Sequence, residues 1–149
     1  MNNTISVAFA KVGEKLNFST MEHSLENMHK AVNGYIEAVR LTDTLVMWVN
    51  EEGKLHEDAK NKINFLLVDG RGNTLDTIVD DVLFTGLDAY GDTVSLSEDD
   101  VVFLQTKIQY GVVDINGEPR MVKAITVRWN HVLAHEIIHM RIEQIKKEP

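Results

Sequence analysis

The densest run of reactive side chains is His135-Glu136-Ile137-Ile138-His139. Histidines spaced this way on a helix share one face and can hold a single zinc ion, with the glutamate between them as general base. His131 stands one turn earlier on the same side. This is the pattern of a zinc-dependent hydrolase, and it is incomplete. A catalytic zinc takes a third protein ligand from beyond such a helix. The longer form of the motif continues to a Gly and a further His, and Ile145 occupies the position of that His. Glu143 and Glu148 follow His139 too closely to come from a separate downstream helix. The simpler reading is a C-terminal amphipathic helix. Its polar stripe is His131, His135, His139 and Lys146 beside Glu136 and Glu143, and its apolar side is Leu133, Ala134, Ile137, Ile138, Ile142 and Ile145. A zinc shared between chains would use the same pair, His135 and His139. No cofactor is expected on the simpler reading.

The other chemical candidates have structural explanations. Asp80-Asp81 offers two carboxylates, but a hard-cation loop needs further oxygen ligands at set spacing, and none follows. The pair reads as a solvated strand edge or turn. Asp69-Gly70-Arg71-Gly72-Asn73 lacks the Gly-Lys-Ser/Thr ending of a phosphate loop and reads as a turn. Ser97-Glu98-Asp99-Asp100 is a helix start, a serine cap with acids where the helix dipole favours them. His23 and His29 have no third partner at metal-binding spacing and read as surface histidines.

These groups need elements to hold them. Thr4–Phe9 alternates enough for a strand, and 11–20 reads as a polar loop. Ser24–Val32 reads as a helix capped by Ser24, with Leu25, Met28 and Val32 at helical spacing and a left-handed stop at Asn33-Gly34. Tyr35–Leu41 is a strand with Ile36, Ala38 and Arg40 on one face and Tyr35, Glu37, Val39 and Leu41 on the other. Glu37 among apolar neighbours must find a partner if it is buried. After the turn at Thr42-Asp43, Leu45–Val49 is so apolar that both its faces should be covered. Asn50-Glu51-Glu52-Gly53 ends it, with Gly53 supplying a positive φ.

Residues 55–62 suggest a helical turn, Ile63–Val68 a strand, and 78–85 a further apolar strand interrupted by the two aspartates. A loop at 86–91 leads to a short extended run at 93–96 and then to the helix opened by Ser97. Tyr110–Ile115 and Arg120–Trp129 form a hairpin through Asn116-Gly117, the second strand setting Met121, Lys123, Ile125, Val127 and Trp129 on one side. The whole reads as one α+β domain of mostly antiparallel sheet with two or three helices. The last hairpin and helix, at about 110–147, extend a core at about 30–101.

The chain has 149 residues, enough for one domain with a real core, and 44% of them are apolar. A net charge of −8 argues against nonspecific binding to DNA or RNA, which needs a surplus of Lys and Arg. The absence of cysteine removes disulfide and thiolate chemistry and fits the cytosol. The first residues lack a basic, apolar leader, and no run is long enough to span a bilayer.

Four stretches carry a resemblance: Val32-Asn33-Gly34-Tyr35-Ile36-Glu37, Asn50-Glu51-Glu52-Gly53-Lys54-Leu55, Thr77-Ile78-Val79-Asp80-Asp81-Val82, and Gly91-Asp92 with Ser95-Leu96. Over about Lys30–Val101 the chain resembles the domain of unknown function 3846 family, met in bacteriophages and in bacteria carrying mobile elements. Asp80-Asp81 departs from the Gly-Asp-like pattern of that family's later strand. The resemblance implies a phage or mobile-element accessory protein acting by binding in the host cytosol. Its partner would be a host protein, such as a defence component to be inhibited, or a small immune-signalling nucleotide to be sequestered. Tyr35, Glu37, Asn50, Glu51 and Lys54 are the candidate contacts, although turn formation and strand edges explain them equally well. Two readings from other classes stand beside it. One is the zinc hydrolase using His135, Glu136 and His139. The other is an acidic mimic of nucleic acid, which would require Glu51, Glu52, Asp80, Asp81, Asp88, Asp92, Glu98, Asp99 and Asp100 to share a face. Apolar strand edges and an amphipathic terminal helix would also allow a homo-oligomer.

Overall fold

A computed structural model describes residues 3–127. The expected C-terminal helix, with His135, Glu136 and His139, lies outside the described residues. Within them the fold is α+β and mostly antiparallel. β1 (Thr4–Ala10) and β2 (Asn17–Glu22) form a hairpin, followed by α1 (Leu25–Val32), β3 (Ile36–Arg40) and β4 (Leu45–Asn50). Two short 3-10 turns, Gly53–Leu55 and Ala59–Lys62, lead to β5 (Ile63–Val68), β6 (Thr74–Val79), β7 (Val82–Leu87) and β8 (Thr93–Val94). Then come α2 (Glu98–Lys107), β9 (Ile108–Ile115) and β10 (Glu118–Thr126).

The strands make two sheets. The first has the order β2-β1-β7-β4-β3, with β8 pairing β7; the second has the order β6-β5-β10-β9. Every pairing is antiparallel except β10 with β5. The sheets pack face to face over Ala8, Val39, Met47 and Phe84 from the first and Phe65, Leu67, Ile78 and Ile125 from the second. Phe65 and Phe84 meet edge to face across the seam, with ring centroids 5.7 Å apart. Leu96 and Leu104, before and within α2, join this core. The other face of the first sheet carries α1, whose Met28 and Val32 bury against Ile5, Val7, Met21 and Leu83. That double cover is why β4 is apolar almost throughout.

Local chemistry explains most boundaries. The Ser24 hydroxyl accepts from the Asn27 amide, and Asn33 itself takes the left-handed position at φ 64°. Ser97 and Asp100 form a reciprocal capping box, so the acidic cluster there opens α2 as expected. Asn116 and Gly117, at φ 54° and 84°, make the turn between β9 and β10.

Four expectations are corrected. The segment 11–20 is a loop only in its first part, because β2 begins at Asn17. It is a polar edge strand in which Met21 alone is buried, so its sequence shows no apolar alternation. The run 78–85 is two strands in different sheets, and Asp80, at φ 80°, turns the chain from one to the other. Asp80 is buried rather than solvated. Gly53 has no positive φ; it is glycine because a Cβ there would stand 2.8 Å from the Val79 carbonyl oxygen.

Candidate polar hub and cleft

At one end of the sandwich six elements bring polar side chains to a single place. Asp80, at the β6–β7 corner, accepts from Asn33 Nδ2 (2.7 Å) through one carboxylate oxygen and from Asn50 Nδ2 (3.2 Å) through the other. Asn33 caps α1 and also donates to Asp81 (2.9 Å); Asn50 ends β4 and also donates to the Asn33 carbonyl (3.3 Å). The other Asp81 oxygen accepts from the Val12 amide (2.8 Å), just beyond β1.

Behind these groups lies a buried lysine. Lys123, on β10, is fully buried, and its ammonium donates to Asn64 Oδ1 (2.6 Å) and to the Lys11 carbonyl (2.9 Å). It also stands 5.4 Å from the centre of the Phe65 ring. Asn64 donates in turn to the carbonyls of Ala10 (2.7 Å) and Asp80 (2.9 Å). A register shift between Ile63 and Phe65 breaks the β5–β6 pairing at Asn64, as a bulge does. Successive residues of a regular strand point to opposite faces; the irregularity accounts for Asn64 and Phe65 both being fully buried. Burial penalises the charged ammonium and lowers Lys123 from 10.5 to about 8, against the opposing pull of the Asp81 and Glu14 carboxylates.

The hub forms one end of a cleft of about 650 Å³ between α1 and the β1–β2 hairpin. Phe9, Met21 and Ala31 give the cleft an apolar side. Lys11, Lys15 and Lys30 bring positive charge to it, and Glu14, Glu22 and Asp81 bring negative charge. Asn17, Asn27 and Asn33 complete the lining. Among the described residues no group of His, Asp and Glu is arranged to hold a metal ion, and no helix is long and apolar enough to cross a membrane.

Residues 5–109 match the model of the family described as Domain of unknown function (DUF3846). The chain belongs to this family. The DUF3846 match takes in β1, β2 and the first part of α1, which lie before the resemblance at about Lys30–Val101. It holds every hub residue except Lys123. Neither a curated protein nor a solved structure matches the chain.

The five candidate contacts are spread. Asn50 is buried in the hub, where its side chain also accepts from the Glu52 amide (2.9 Å). Tyr35 is exposed and packs edge to face on His29, and its carbonyl accepts from the Glu51 amide (2.8 Å). Lys54 pairs with Asp76 at 2.6 Å. Glu37 lies opposite Val49 on β3, half-buried. None of the five lines the cleft, and Asn50 reaches it only through Asp80 and Asn33. Of the acids proposed for a mimicking face, Asp80 and Asp100 are buried, Asp100 holding Thr44 Oγ1 at 2.7 Å.

Sequence reasoning passed over Asn33, Asn64 and Lys123 as functional residues. Two of them left a signal. Asn64 interrupts an apolar run, and Lys123 stands on the inward side of its strand between Met121 and Ile125. A polar residue at an inward position has to be satisfied by something.

Proposed function

We propose that the protein acts by binding rather than by catalysis, as an accessory protein of a phage or mobile element in the host cytosol. Its cleft between α1 and the β1–β2 hairpin sequesters a small nucleotide-like ligand. The observation that carries this reading is the pairing of an apolar side with three lysines in one concavity, which Glu14, Glu22 and Asp81 share. The volume of about 650 Å³ falls in the range of roughly 300–1,000 Å³ occupied by small-molecule sites. A base can lie on Phe9, Met21 and Ala31, since stacking on an aromatic ring tolerates any base. Lys11, Lys15 and Lys30 then meet the phosphates, while the amides of Asn17 and Asn27 can read a base edge. The hub suits binding too, because it stiffens the wall before a ligand arrives and lowers the ordering cost of association.

The test is a calorimetric titration of the full chain with ADP, cyclic di-AMP and cyclic di-GMP at low salt. Saturable binding is expected for at least one of them, weakened about tenfold or more by Lys11→Ala with Lys30→Ala. If none of the three binds and a host protein co-purifies stoichiometrically from infected cells, the cleft is not a nucleotide site and inhibition of a host protein is the better reading.

A further inference from the structure

The turn from Lys11 to Leu16 carries Lys11, Glu14 and Lys15 to the cleft, and the second sheet holds that turn at both ends. Lys123 and Tyr110 are Cα partners across β10 and β9, so their side chains rise on the same face. Lys123 Nζ donates to the Lys11 carbonyl (2.9 Å), which also accepts from the Glu14 amide (3.0 Å). The Tyr110 hydroxyl accepts from the Leu16 amide (3.1 Å), and the Lys15 ammonium stands 5.9 Å from the centre of the Tyr110 ring. Between these points the turn is held once more, by the Val12 amide on Asp81.

We infer that Lys123 and Tyr110 are positioning residues of the cleft, a two-point clamp by which β9 and β10 set where the Lys11–Leu16 turn presents its charges to a bound ligand. The inference deepens the cleft reading and rests on it for its functional sense. The clamp itself is a matter of geometry. Lys123 lies beyond the family match, at 5–109, and Tyr110 is the first residue past its end. Both grips on the turn therefore come from the part of the chain that the family model does not cover.

The clamp also responds to pH. Lys123 faces the Asp81 carboxylate from the β6–β7 corner, the Lys11 carbonyl and the Glu14 carboxylate from the turn, Asn64 and Phe65 from β5, and its Cα partner Tyr110 on β9. Its ammonium titrates near 8, and above that pH its attraction to Glu14 and Asp81 is lost while its hydrogen bonds persist. The amide signals of the turn should therefore shift with pH around 8.

Amide hydrogen exchange and proton–nitrogen NMR of the ligand-free full chain read the clamp directly, and an ADP titration reads its effect on the cleft. In Tyr110→Phe, exchange at the Leu16 amide should quicken about tenfold, the loss of one hydrogen bond, with Ile5 and Val7 in β1 unchanged. The pH inflection of the Val12 and Glu14 signals should disappear in Lys123→Met and move to lower pH in Glu14→Gln, which keeps the turn folded because Glu14 is exposed. Should Lys123→Met not fold, the Glu14→Gln shift decides the same point. Unchanged Leu16 exchange in Tyr110→Phe would overturn the clamp, and an inflection that survives in Lys123→Met or is unmoved in Glu14→Gln would overturn its pH response. If ADP binds the natural chain, its affinity should fall at least severalfold in Tyr110→Phe, and equal affinity overturns the positioning role. If ADP does not bind, the same comparison is made with whichever of cyclic di-AMP and cyclic di-GMP does; if none of the three binds, the cleft reading loses its nucleotide, and the exchange data still decide the clamp.

Discussion

Asp80→Gly sets two effects against each other. Asp80 sits at φ 80°, which costs a residue with a Cβ about 1 kcal/mol or more, and glycine would remove that cost. Against this stand three hydrogen bonds to its carboxylate, from Asn33 Nδ2 at 2.7 Å, Asn50 Nδ2 at 3.2 Å and the Asp81 amide at 2.8 Å. A hydrogen bond to a charged group contributes about 1.5–3 kcal/mol. The three do not simply add, because Asn33 keeps Asp81 and Asn50 keeps the Asn33 carbonyl. Glycine also loosens the unfolded chain, which costs about 0.5–1 kcal/mol more. The hydrogen bonds win, and the net loss should be about 2–4 kcal/mol. Urea unfolding followed by tryptophan fluorescence measures it. At a slope of about 2 kcal/mol/M, the middle of the usual urea range, the midpoint should fall by about 1–2 M with the slope unchanged. Asp80→Asn should fall between the two, since asparagine tolerates the left-handed region and keeps one acceptor but turns an amide N–H toward an incoming donor. A midpoint for Asp80→Gly equal to or above that of the natural chain would mean that the corner is held by the backbone and that the hub holds nothing together.

Three further outcomes follow from packing and charge. Gly86→Ala would place a Cβ 2.3 Å from the Ser95 carbonyl oxygen, so β8 must move away, and thermal unfolding should show a loss of at least about 2 kcal/mol. Phe65→Ala removes the ring that meets Phe84 and lies beside Lys123, and should cost about 3–5 kcal/mol in the same assay. For Lys123 the native value of about 8 lies below the unfolded 10.5, so between these values the unfolded chain binds more protons and stability rises with pH. At about 1.36 kcal/mol per unit, the natural chain should gain up to about 3 kcal/mol relative to Lys123→Met between pH 8 and 10.5, with little relative change below pH 7. Denaturant midpoints measured for both chains across that range check the sign, and a relative loss with rising pH would refute it.

What could be read from the sequence was local. The Asn-Gly turn at 116–117, the Ser24 and Ser97 caps and the doubly covered strand at 45–49 each depend on residues within a few positions of one another. The hub depends on residues far apart: Lys123 meets Lys11 and Asn64, and Asn33 meets Asp80. No periodicity connects such positions. β2 escaped notice because an edge strand needs only backbone pairing with β1 and one buried residue, Met21. The run 78–85 reads as one strand because the corner residue is an aspartate in a left-handed conformation, where glycine or asparagine is the usual signal. Asp80 was misjudged for a related reason. A carboxylate between apolar residues looks like a surface residue until its amide partners arrive from α1 and β4.

The hub also bears on where the working unit of this chain ends. The family match stops at residue 109, inside β9. In the second sheet β10 lies between β5 and β9, so β9 joins that sheet only through the strand that follows it. Without β10, the parallel pairing from Phe65 to Val68 would have no partner, and Asn64 would lose the ammonium on its Oδ1. An unpaired β5 would also present an apolar edge to solvent, a template for association. The hairpin closed by Asn116 and Gly117 therefore completes the core over which the matched residues fold, and through Lys123 it reaches the wall of the cleft that those residues line.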